Sequence, residues 1–182
     1  MFGFICASRI QSREELLEVV GHVHSSCNQL CKEALGNYLP NAGNVGIFCH
    51  YDEEYDHLLR LRKQLCEPSD NPNQKYFKLH EAIVIQANKH IPEGRYTHLY
   101  IRKPDIYRAQ AGDVDFYLEQ SEYINLKNRI NNGEGISGAR VFPRQDLDMI
   151  ELFNPDIDAL SYISTQAMAE KVHIKLSNET NL

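Results

Sequence analysis

The chain has 182 residues, 42% of them hydrophobic, and a formal charge of −6. That length allows roughly 70% of the unfolded surface to be buried without disulfides or metal, and the acidic balance argues against a dedicated nucleic-acid binder, which carries a basic stripe. Five irregularly spaced cysteines do not make an even-numbered secreted framework. The longest apolar runs are too short to cross a membrane. The expectation is a soluble, reduced, cytoplasmic protein with no membrane partner.

The elements follow in chain order. Phe2 to Ala7 is a short apolar run and reads as a buried strand. Ser12 with Glu15 three residues on forms a capping-box pattern. It predicts a helix over 12–36 with Leu16, Val20, Val23, Cys27, Leu30 and Ala34 as its apolar stripe and Gly36 as its stop. His24, Cys27 and Cys31 share one side of it. They could ligate zinc, but free cysteine on an apolar stripe favours core packing. Val45 to Cys49 reads as a buried strand. A second helix is predicted over 52–66, with Tyr55, Leu58, Leu61 and Leu65 inward.

After the loop at 68–73 the pattern changes to period two. Tyr76 to Gln86 alternates, with Glu81 on the same side as Phe77, Leu79, Ile83 and Ile85. A carboxylate there needs a partner, a proton, or a bulge that turns it outward. Residues 95–102 place Tyr96, His98, Tyr100 and Arg102 on one face. Residues 113–119 do the same with Asp113, Asp115, Tyr117 and Glu119. Gln120 to Asn131 reads as a helix. Gly133 to Gly138 matches GxGxxG literally, but a helix precedes it and a strand follows, so it is a turn and not a dinucleotide fingerprint. Three strands follow near ARVF, LDMIELF and ALSYIS, and VHIKL could add an edge strand.

The expected fold is a single α+β domain over 1–182, helix-rich over 1–74 and strand-rich over 75–176. Its sheet is expected to be mainly antiparallel, with the two N-terminal helices packed on one face. No internal repeat is evident.

If strands 95–102 and 113–119 pair as neighbours, a histidine, an arginine and three carboxylates share one surface. The first functional reading is an enzyme acting on a small anionic molecule. His98, Asp113 and Asp115 are its catalytic candidates. Arg102 and Arg108 would grip the anion through paired hydrogen bonds, with Tyr100 and Tyr117 beside them. A divalent metal is a possible cofactor, with His98, Asp115 and Glu151 as candidate ligands. The second reading is a non-catalytic module that binds a protein through Tyr96, Tyr100, Tyr117 and Arg102. The bland reading is a solvated sheet face with cross-strand ion pairs.

From Asp113 onward the order strand, helix, three strands resembles one module of the vicinal-oxygen-chelate (glyoxalase-type) fold. MIELFNPD, with Glu151 before Asn154-Pro155-Asp156, is similar to that family's strand carrying a metal-binding glutamate before a DP turn. The resemblance covers about 50 residues and implies a metal near Glu151, completed by another module or subunit. The family's histidine or glutamate early in the first module strand is replaced by Asp113 or Asp115. The N-terminal half does not read as a second module.

Overall fold

The computed structural model describes residues 10–143 and 148–170. The expected strands at 2–7 and in VHIKL lie outside these residues. Helix α1 (Arg13–Leu35) begins where the sequence places it. The Ser12 hydroxyl accepts from the Glu15 backbone N–H at 3.1 Å, and Gly36 closes the helix in the left-handed conformation. Helix α2 (Asp52–Leu65) follows strand β1 (Asn41–Phe48). The Glu54 carboxylate caps this turn, accepting from the backbone N–H of His50 at 2.9 Å and of Ile10 at 3.3 Å. Strands β2 (Phe77–Ile85), β3 (Gly94–Arg102) and β4 (Gly112–Leu118) come next. Helix α3 (Gln120–Asn131) and strands β5 (Ala139–Phe142), β6 (Met149–Leu152) and β7 (Leu160–Thr165) complete the order.

The seven strands form one sheet in the order β2-β3-β1-β4-β7-β6-β5. It is mixed, not mainly antiparallel: β1 runs parallel to β3, and β4 parallel to β7. The expected pairing of residues 95–102 with 113–119 is also corrected. Strand β1 lies between them, parallel to β3 and antiparallel to β4. A connection of about ten residues can return either to a neighbouring strand or across one, so spacing alone does not decide it.

The order contains a repetition that the sequence hides. In β4-α3-β5-β6-β7 the first strand pairs parallel with the last, and β7, β6 and β5 follow as an antiparallel meander. In β1-α2-β2-β3 the first strand again pairs parallel with the last, and β2 lies antiparallel outside it. The missing outer strand is reduced to one bridge, Cys66 with Leu79. The chain thus falls into two units, or modules, of partly similar connectivity, joined by the pairing of β1 with β4.

Helices α1, α2 and α3 contribute to one apolar core against one face of the sheet. Leu16, Val20, Val23 and Cys27 of α1, Leu58 of α2 and Tyr123 of α3 meet Val45, Leu99, Val114, Phe116 and Ile163 there. Cys27 and Ser161 tie α1 to β7: the thiol donates to the Leu160 carbonyl at 3.1 Å, and the Ser161 hydroxyl to the Cys27 carbonyl at 3.1 Å.

Strand parity breaks in β3. Burial falls on Gly94 and Tyr96, then on Leu99 and Ile101. Tyr96 therefore leaves the face expected for it and is fully buried beneath α1. Its hydroxyl donates to His24 Nδ1 at 2.6 Å. His24 Nε2 lies 3.0 Å from the Pro92 carbonyl, which can only accept, so Nε2 carries the proton and the ring is neutral. Gly94 permits this approach, since a Cβ there would stand 2.4 Å from the ring. His24 is structural, as are the thiols beside it. Burial pushes Cys31 up to about 12 and Cys27 well above the usual thiol range.

Burial lowers the His24 pKa from 6.5. A depressed pKa means the unfolded state takes the proton first, so its stabilising contribution is complete above about pH 6.5 and is lost as pH falls through the folded value. Urea midpoints at pH 7.5 and 5.5 should show a drop in the native chain that shrinks in His24→Gln. An equal drop in both would contradict this account.

Candidate functional site

The face opposite the helices carries one polar row that crosses the whole sheet, with one residue from each strand. Lys78 pairs in register with His98, and His98 with Asn44. The Asn44 amide donates to Asp115 Oδ2 at 3.1 Å. Asp115 pairs with Tyr162, Tyr162 with Glu151, and Glu151 with Arg140. Period-two alternation produces this row: around it the odd and even positions of each strand divide between core and polar face, although parity is interrupted elsewhere in β2 and β3.

His98 and Asp115 thus share a face, as the sequence predicted, but Asn44 stands between them. Thr97 lies 3.0 Å from His98 Nδ1. Tyr76 reaches across the face, with its ring 5.4 Å from that of Tyr100 and its hydroxyl 3.5 Å from Asp115 Oδ2. Asp113 lies one row further on, opposite Gly46 and next to Leu160. A Cβ on Gly46 would fall 2.1 Å from its Oδ1, so the glycine leaves the space that this carboxylate fills. Tyr117 is half-buried near the far end of β4, paired with Ser164.

Arg102 and Arg108 do not act together. Arg102 pairs with Asp105 at 2.7 Å and covers the Phe48 ring. Arg108 turns towards Glu151, 3.6 Å from Oε2. Glu81 is exposed on β2, where the register shifts between Lys78 and Ile83. The bulge turned it outward. The module reading loses Tyr96 from its patch, because that ring is in the core.

Glu151 has the most elaborate surroundings on this face. It is 1% exposed. Arg140 reaches Oε1 with Nη2 at 2.6 Å and Nε at 2.7 Å, and the Tyr162 hydroxyl donates to Oε2 at 3.0 Å. Burial pushes the Tyr162 phenol up, and the Asp113 and Glu151 carboxylates add to it, so it stays a donor. Sequence reasoning found Glu151 but missed Arg140 and Tyr162. Their signal was available only as strand parity, once β6 was known to lie between β5 and β7.

Beside Glu151 is a cavity of about 370 Å³, lined by Tyr107, Arg108, Gln110, Gly138, Ala139, Arg140 and Phe153. Phe48, Met149, Leu160 and Tyr162 form a small buried apolar cluster on the same face. A few placed polar groups beside apolar surface is the usual composition of a small-molecule site.

The residues do not fit the metal centre that the resemblance implies. His98, Asp115 and Glu151 stand on β3, β4 and β6, and each successive pair is separated by a whole strand. Two strand spacings are roughly 9–10 Å, whereas metal–donor bonds are about 2.0–2.6 Å. Among the described residues no three of His, Cys, Asp and Glu gather as a metal site would require. Glu151 moreover faces two guanidiniums.

No protein-family model and no curated protein matches the chain. Among solved structures, it is similar to a glyoxalase/bleomycin resistance protein/dioxygenase superfamily member from Vibrio splendidus 12B01. Identity is 8% over 66% of this chain and 95% of that one, with a TM-score of 0.37. It is also similar to a Streptomyces coelicolor methylmalonyl-CoA epimerase variant in complex with 2-nitronate-propionyl-CoA. There identity is 14%, the coverage 69% and 98%, and the TM-score 0.31. Likenesses at these scores assign neither family nor activity. No helix among the described residues is long and apolar enough to cross a membrane.

Tyr162→Phe leaves a buried carboxylate short of one donor. It should cost about 1.5–3 kcal/mol, the range for hydrogen bonds to charged groups, read as a lower urea midpoint at unchanged slope. A midpoint equal to that of the native chain would show that the hydroxyl does not support Glu151.

Proposed function

We propose that the chain binds a small anionic molecule on the polar face of the sheet, in the cavity beside Glu151. The scaffold is read as a pair of vicinal-oxygen-chelate-like modules that work without the metal centre typical of that fold. The observation that carries this reading is the ratio of charges in the cavity wall. Two guanidiniums, Arg108 and Arg140, face one carboxylate, Glu151. Arg140 and Tyr162 already satisfy that carboxylate, and Arg108 is held only at 3.6 Å. One positive charge is therefore in excess at the wall. Arg108 can turn its planar fork to a ligand carboxylate or phosphate, for which two-pronged binding is strong.

The same face offers groups for chemistry on such a ligand. Asp115 accepts from Asn44 and Tyr76, which fixes its orientation on the face and suits it to orient a donor on the ligand. Asp113 is placed beside it, and His98 is the acid–base candidate at the other end of the row. In this reading Tyr100 and Tyr117 shape the face, while Arg102 holds the loop that carries Arg108.

Titration calorimetry with a panel of small mono- and dicarboxylates and their phosphorylated counterparts tests the proposal. At least one class should bind saturably. Arg108→Ala should weaken it about tenfold or more, the equivalent of one charge-assisted hydrogen bond, with the melting temperature little changed. Equal binding by Arg108→Ala, or no binding by any anion, would refute the reading.

A further inference from the structure

A second opening lies at the C-terminal end of β3, away from Glu151. It is a groove of about 720 Å³ between α2, the loop before β2 and the loop after β3. Its wall carries Arg62, Lys75, Arg102 and Lys103 against one carboxylate, Asp105. That carboxylate is already taken: Arg102 binds it at 2.7 Å, and the Tyr107 backbone N–H donates to it at 3.0 Å. Among the described residues three cations of this wall therefore remain without a carboxylate partner, in a chain whose overall charge is −6.

Arg62 is the most telling of the three. Its guanidinium lies flat on the Phe77 ring, 3.6 Å from the centroid. Among the described residues no carboxylate pairs with it. Burial lowers its pKa, opposed in part by the Cys66 thiol and the Tyr55 phenol beside it. A half-buried cation without a counter-ion is costly. A guanidinium held over a ring keeps its N–H groups for hydrogen bonding, as a phosphate-binding arginine requires. Lys103 is held over the Tyr55 ring at 5.8 Å, and Lys75 is exposed at the rim.

We propose that this groove is a binding site for a small polyanion carrying two or more linked phosphate groups. Three charges spread along one groove match a chain of anionic groups better than a single carboxylate, and local charge of one sign concentrates such ligands. The volume fits a small molecule, and the acidic remainder of the chain repels the longer backbone of a nucleic acid.

Calorimetry with inorganic tripolyphosphate, against inorganic phosphate at the same ionic strength, provides the test. Tripolyphosphate should bind saturably and more tightly than phosphate. The exposed double variant Lys75→Ala/Lys103→Ala should weaken it about tenfold or more without changing the melting temperature. Arg62→Gln should do the same, and the lysine pair carries the test if that variant is poorly folded. Arg108→Ala, in the other cavity, should leave tripolyphosphate binding in this groove intact. The proposal is overturned by absence of saturable binding at low salt, by unchanged binding in the lysine pair, or by loss of binding in Arg108→Ala. Tighter binding of a short single-stranded oligonucleotide would also overturn it.

Discussion

The antiparallel pairing of β1 with β4 is the constraint on which the molecule is built. Each strand is the first of its module, and each pairs parallel with the last strand of that module. Their union makes one continuous sheet, so the side chains of both halves are sorted by a single alternation. One side receives Val45, Ile47, Val114 and Phe116 for the helices. The other receives Asn44 and Asp115, which bond across the join. A slip of one residue there would exchange the two sets. The tight fit of the Asp113 carboxylate over Gly46 helps to hold this register.

Charge on the polar face is arranged by burial. Near the rim, Lys78 pairs with Glu67 while both remain well exposed, and such pairs contribute little. Further in, Glu151 is almost wholly removed from water and is held by Arg140 and Tyr162. Removing one member of a buried set strands another, which makes the arrangement costly to alter. The core side is different in kind. His24 is kept neutral, and burial pushes the Cys49 and Cys66 thiols to about 12 and about 11. Apart from the capping Glu54, the buried carboxylates among the described residues, Asp113, Asp115 and Glu151, all lie on the polar face.

Local features were legible in the sequence. The capping pattern at Ser12 and the stop at Gly36 located α1, and period-two alternation located β3 and β4 with the correct side for His98, Asp113 and Asp115. Long-range features were not. The insertion of β1 between β3 and β4 depends on pairing across 54 to 75 residues, which no local pattern records. Tyr96 was misplaced because parity breaks near Thr97 and His98, although both neighbours are good strand formers. The duplication was hidden because the first module retains only the Cys66–Leu79 bridge where the second has β5. His98 and Asp115 looked adjacent only while β3 and β4 were imagined as neighbours.

The central place of β1 also has a consequence during synthesis. When a ribosome has delivered residues through β3, that strand can complete one edge of β1, but the other edge still waits for β4. A nascent first module therefore shows an open row of amide and carbonyl groups flanked by greasy side chains, the kind of template that recruits foreign strands. Helix α1 emerges before all of it, yet its sheet contacts are chiefly with β4 and β7, so it lacks its main docking surface until the second half appears. The first half therefore depends on the second both to close the open edge of β1 and to seat α1.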